Sequence, residues 1–151
     1  MNIIKGLHPM MVHFPLAMVV TAATLLWISR LLHQESRAAT LAMVGTWNLC
    51  LGAVAALFAI FTGLFATFDL HVGLAAHQAI AIHLKWAIFT TLALIFLAIW
   101  RGAGVPAESR PSWLFILMLA GATGALIFTG YRGAENVYQY GVGVQYLVSH
   151  Q

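Results

Sequence analysis

The sequence is poor in charged residues. Asp, Glu, Lys and Arg make up 7% of its 151 residues, where a soluble domain carries about 25%. Hydrophobic residues make up 62%, and the mean hydropathy is +0.89. This balance excludes a soluble globular domain and predicts an integral membrane protein. The formal net charge of +3 comes from too few residues to indicate a nucleic-acid partner.

Cysteine is also scarce. The one cysteine, Cys50, excludes an internal disulfide and lies in an apolar run, where we expect it to pack as a small hydrophobic residue. We also expect no cleavable signal peptide, because the first apolar segment is long enough to span a membrane and has no convincing small-residue cleavage site.

Four long apolar segments predict four membrane-spanning helices, since a span needs about 20 mostly apolar residues. The helices are predicted at about residues 10–32, 40–68, 76–100 and 112–131. Short connections favour antiparallel neighbours. The fold class is therefore all-α, an integral-membrane up-down four-helix transmembrane bundle, in a single domain over residues 1–151. No internal repeat is evident.

Residues 8–15, His-Pro-Met-Met-Val-His-Phe-Pro, mark the entry of the first span into the membrane. Proline is tolerated in the first turn of a helix. Either Pro9 begins the helix and Pro15 kinks it, or the helix begins at Pro15. In both cases His13 lies at or just below the membrane surface, where an imidazole is costly to bury without a partner.

Arginine and lysine predict the orientation, because cytoplasmic loops are enriched in both. One side carries four of these residues and the other carries three: Arg30, Arg37, Arg101 and Arg110 against Lys5, Lys85 and Arg132. We expect the four-residue side to be cytoplasmic. The prediction is thus a multi-pass protein of the bacterial inner membrane with both termini in the periplasm.

The histidines are unequally shared between the two sides. Six of the seven lie on the predicted outer side, and only His33 lies in an inner loop. His13 and His83 open their spans at similar depth on helices that can face each other. Imidazole is a frequent axial ligand of haem iron, so these two residues are predicted to bind one haem b. His77 is the alternative to His83, and lies roughly 120° away from it around the helix.

The segment after the last span, over residues 132–151, is rich in glycine and tyrosine. Glycine permits tight turns, and tyrosine suits a boundary between apolar and wet surroundings. We expect residues 130–144 to form a folded lid over the outer mouth of the bundle. Arg132 either pairs with Glu135 there or meets an acidic group such as a haem propionate.

These motifs resemble the bacterial membrane-protein family called domain of unknown function 2231. The resemblance covers nearly the whole chain and rests on residues 8–15, Thr62-Gly63, Asp69, His83 and the closing run over residues 133–144. Ala134 and Asn136 depart from the family pattern of the tail. The resemblance implies a small four-helix relative of b-type cytochromes. Because some members are joined to cytochrome c domains, it also implies electron transfer near the periplasmic face.

Two functions from different classes remain open. The first is a haem b electron-transfer subunit that works with a periplasmic cytochrome c or a larger membrane oxidoreductase, with quinone as a further exchange partner. The second is a cofactor-free accessory subunit of a membrane respiratory complex. A third, weaker hypothesis is a metal-binding or transport protein that uses His8, His13 and His77. We expect a subunit rather than a self-sufficient enzyme.

Overall fold

The computed structural model describes residues 3–67 and 72–143, with the side chains of residues 3–5 left out. Within these ranges the secondary structure is helical, which confirms the all-α prediction. The five helices are α1 (Ile3–Met11), α2 (His13–Leu31), α3 (Glu35–Thr67), α4 (Leu74–Ala103) and α5 (Trp113–Tyr138). Four segments are long and apolar enough to cross a membrane: Gly6–Leu31, Glu35–Thr67, Leu74–Ala103 and Trp113–Tyr138.

Helices α1 and α2 form the first span, with a break at Val12. The Val12 N–H still donates to the His8 carbonyl at 3.2 Å, so the chain turns without unwinding. Neither sequence alternative places the start correctly, because the helix begins at Ile3 and carries Pro9 in its interior. Pro15 lies in the first turn of α2, where its missing N–H costs α2 no internal hydrogen bond.

The bundle closes as a ring in which α2 packs on α3, α3 on α4, α4 on α5 and α5 on α2, while α1 packs mainly on α3. Close approach of α2 and α3 depends on glycine. A Cβ atom at Gly45 would lie 2.8 Å from Leu26 Cγ, and one at Gly52 would lie 2.8 Å from Val19 Cγ2. Large apolar side chains cover the outside of the bundle, as expected for a surface that faces lipid.

Four of the five arginines lie at the same end of the bundle, in or next to the two short connections between helices. The Arg110 guanidinium is 3.0 Å from the Glu35 carboxylate, and the Arg30 guanidinium lies 5.2 Å from the Trp113 ring centroid. Arg101 is buried there, and its Nε donates to Thr46 Oγ1 at 3.2 Å. We call this the arginine end. It matches the grouping of arginines made from the sequence.

Helix α5 extends beyond its predicted end near residue 131. The tail segment predicted as a lid is instead helical as far as Tyr138. Arg132 and Glu135 form an i,i+3 ion pair on this extension, which confirms their predicted pairing. The helix closes at Gly141, which has a φ of 63° and donates its N–H to the Val137 carbonyl at 3.0 Å. The remainder of the predicted lid, from residue 144, lies outside the described residues.

Candidate functional site

His8 is the first component of the site, at the end of the bundle opposite the arginine end. It lies on α1, is half-buried, and its Nδ1 is 3.0 Å from the Ala59 carbonyl and 3.3 Å from Thr62 Oγ1 on α3. The edge of the ring lies on Gly63, where an added Cβ would be 2.9 Å from His8 Cε1. The imidazole is therefore held flush against the backbone of α3.

His83 makes the equivalent arrangement on the other helix pair. It lies on α4, is half-buried, and its Nδ1 is 3.1 Å from the Thr129 carbonyl on α5. An added Cβ at Gly133 would lie 3.1 Å from His83 Cε1. The Thr129 and Thr90 hydroxyls are 3.2 Å apart and buried, so a polar contact joins α4 to α5 close to the ring.

Each histidine, together with the carbonyl and the glycine that it contacts, forms what we call a half-site. In both half-sites the accepting carbonyl lies four residues before the glycine: Ala59 before Gly63 on α3, and Thr129 before Gly133 on α5. In an α-helix the carbonyl of one residue already accepts from the N–H of the residue four positions later, which here is the glycine. A side chain on this fourth residue would shield the second lone pair of the oxygen. Glycine leaves the lone pair open to the imidazole.

The carbonyl partners decide the tautomer of each imidazole. A carbonyl oxygen only accepts, so a neutral His8 or His83 ring carries its proton on Nδ1 and its lone pair on Nε2. Within the described residues neither Nε2 has a hydrogen-bond partner. This is the state in which imidazole binds a metal, with the second nitrogen held by a backbone carbonyl.

The two imidazoles belong to one site. They are close enough to interact electrostatically, and the Arg132 guanidinium also acts on His83. The ion pair of Arg132 with Glu135 is mostly buried, yet Arg132 Nε and Asn136 Oδ1 lie buried without a hydrogen-bond partner. Buried unpaired polar atoms are uncommon in native proteins. Arg132 and Asn136 therefore add buried polar groups to the end of α5 on which His83 packs.

The residues of the site lie at similar distances from the ends of their helices. Ala59 is eight residues before the end of α3, His83 is nine residues after the start of α4, and Thr129 is nine residues before the end of α5. At 1.5 Å of rise per residue these positions are all about 12–14 Å inside the helix ends. The site therefore lies in the half of the bundle that the sequence assigns to the outer side.

The structure separates the histidines that the sequence singled out. His83 lies in the site, whereas the side chains of His13 and His77 are exposed. The partner of His83 is His8, which the sequence indicated only in the hypothesis of a metal-binding or transport protein. Asp69, His71 and His150 lie outside the described residues. Among those described, no group of three or more His, Cys, Asp or Glu side chains is placed to hold a metal ion.

A family model described as "Predicted membrane protein (DUF2231)" matches residues 5–146 of the chain. This match contains every residue of the site. None of the curated proteins and none of the solved structures matches the chain.

Proposed function

We propose that this chain, which belongs to the DUF2231 family of predicted membrane proteins, is a membrane-embedded haem b electron-transfer subunit. In this proposal His8 and His83 would hold the haem iron. His83 is the ligand expected from the sequence. His8 takes the place of His13 because it is half-buried and within electrostatic range of His83, whereas the His13 side chain is exposed. His77, the other sequence candidate, has an exposed side chain.

The observation that carries the proposal is the pair of Nε2 lone pairs in one site, each fixed by an Nδ1 hydrogen bond to a carbonyl. A tetrahedral zinc site needs four ligands, whereas haem iron is held by one or two protein side chains. Two imidazoles without a third ligand, among the residues described, fit the second requirement. When bound, haem b would supply a one-electron carrier to the site.

The surrounding residues have identifiable tasks in this proposal. The carbonyls of Ala59 and Thr129 hold the two imidazoles in the tautomer that leaves Nε2 available. Gly63 and Gly133 let the rings lie against α3 and α5. Arg132 has a buried Nε without a partner and would face an acidic edge of the ligand, such as a propionate, while Glu135 offsets its charge.

The position of the site supports electron transfer on one side of the membrane. The described residues place the histidine pair in one half of the bundle, and the arginine end carries the lone histidine His33 on a connecting segment. A chain of two haems across the bilayer would need a second pair. We therefore propose that electrons enter and leave at the periplasmic face, through a cytochrome c or a larger oxidoreductase, with quinone as a further exchange partner. Both termini are proposed to lie in the periplasm of the inner membrane.

The test is to purify the full chain in detergent and record oxidised and reduced spectra of four alanine variants. We expect a b-type spectrum in the parent protein. His8→Ala and His83→Ala should lose it, whereas the matched controls His13→Ala and His77→Ala should keep it. A colourless parent protein would favour the cofactor-free accessory subunit. Loss of haem in His13→Ala, with haem kept in His8→Ala, would restore the pair expected from the sequence.

A further inference from the structure

The two half-sites differ at one equivalent position. Three residues after the accepting carbonyl, α3 carries Thr62 and α5 carries Arg132. A hydroxyl therefore stands beside one imidazole, and a guanidinium acts on the other. The electronic surroundings of the two histidines are unequal for this reason.

Thr62 acts as an additional acceptor for His8. Its Oγ1 lies 3.1 Å from both the Phe58 and the Ala59 carbonyls, so its single hydrogen is donated to one of these oxygens. A lone pair of Oγ1 then faces His8 Nδ1 at 3.3 Å. The His8 N–H is shared between a carbonyl and a hydroxyl, and Thr62 is buried, which keeps water from competing.

Arg132 acts on His83 in the opposite sense. His83 has the Thr129 carbonyl as its Nδ1 acceptor, and the cationic Arg132 lies three residues later on α5, next to the glycine on which the ring packs. A nearby positive charge disfavours the donation of electron density from the imidazole to a metal. Glu135 compensates part of that charge through its ion pair with Arg132.

We propose that Thr62 and the Arg132–Glu135 pair are positioning residues that make His8 the stronger and His83 the weaker electron donor. This inference rests on the proposed function. Acceptors on Nδ1–H increase the basicity of an imidazole ligand, and charge and hydrogen bonding around the ligands set the reduction potential of a haem. The potential of the site is therefore adjusted at these three residues.

The test measures the midpoint potential of the haem-loaded protein in four variants. Thr62→Val removes the second acceptor and should shift the potential upward, whereas Thr62→Ser keeps the hydroxyl and should leave it at the parent value. Arg132→Gln removes a positive charge and should shift the potential downward. Glu135→Gln exposes that charge and should shift it upward. Thr123→Val is the control, because the Thr123 hydroxyl donates to Leu119 in its own helix, away from the site.

A second readout uses the protein without haem, so that its result does not depend on the proposed function. Nitrogen NMR of the imidazoles should show a changed His8 Nδ1 resonance in Thr62→Val and a changed His83 resonance in Arg132→Gln. A parent protein that binds no haem but shows both changes would refute the proposed function and keep the inequality of the histidines. A Thr62→Val potential equal to that of Thr123→Val would overturn the inference, as would shifts of the same sign in the Arg132 and Glu135 variants.

Discussion

Replacement of Gly63 by alanine tests whether the glycine is what admits the His8 imidazole. The new Cβ would lie 2.9 Å from His8 Cε1. Carbon atoms in contact prefer about 3.5 Å or more, so the ring must retreat by about 0.6 Å. If it retreats directly, the 3.0 Å bond from Nδ1 to the Ala59 carbonyl lengthens to about 3.6 Å. That separation is no longer a hydrogen bond.

The free-energy terms of this substitution oppose each other. A half-buried donor that loses its carbonyl acceptor costs at most about 1–3 kcal/mol, because Thr62 Oγ1 still faces it, whereas Gly→Ala inside a helix contributes about 1 kcal/mol of stability. The free energy of unfolding should therefore change by less than about 2 kcal/mol. Haem affinity should fall further, by about 10–100-fold, which is the usual effect of losing the group that orients a ligating imidazole.

Two other glycines make this a graded experiment. At Gly133 the added Cβ would lie 3.1 Å from His83 Cε1, so the His83 ring needs to move less and the loss of haem occupancy should be smaller. At Gly130 nothing lies within 4 Å of the added Cβ, so Gly130→Ala is the control. Haem occupancy from absorbance titration should rank Gly130→Ala above Gly133→Ala, and Gly133→Ala above Gly63→Ala. Equal occupancy in the Gly63 and Gly130 variants would refute the role assigned to the glycines.

Two further predictions concern the arginine end. Arg101→Gln removes the guanidinium hydrogen bonds to the half-buried carbonyls of Ala107 and Ser109. It should lower the free energy of unfolding in detergent by about 1–3 kcal/mol, at about 0.5–1.5 for each hydrogen bond lost. Arg37→Gln, at an exposed side chain, should have little effect, and a similar result for both variants would contradict the structural role of Arg101. Reporter fusions at His33 and Gly104 should be active as cytoplasmic reporters, and activity of periplasm-only reporters at these points would reverse the orientation.

Hydropathy predicts the number of spans well, because a bilayer demands long apolar helices whatever their packing. Helix ends are predicted less well. Composition around Gly130 and Gly133 indicates turns, yet both glycines lie within α5. The reason is tertiary: Gly133 is where His83 packs on the helix, and the ion pair of Arg132 with Glu135 supports the extra turns.

The site itself is only half predictable from sequence. The apolar surroundings of His83 identify it as a candidate, since an imidazole there needs a partner. The choice of His13 over His8 follows from depth alone, and depth does not determine which way a side chain faces. His8 turns inward because α1 packs on α3, and its acceptor, Ala59, is 51 residues away in the chain. The local indications of the site are Gly63 and Gly133. Neither glycine indicates a site until the structure shows a histidine of another helix packed on it.

Burial alone does not distinguish a functional polar residue from a structural one in this bundle. Arg101 is 2% exposed, more buried than either histidine of the site. Its guanidinium makes four hydrogen bonds to Thr46, Ala107 and Ser109, so its donors are used in holding the loop to the helices. His8 and His83 each use one nitrogen to fix the ring and leave the other with its lone pair. This difference in how the polar atoms are used is the physical argument for the ligand that we propose at His8 and His83.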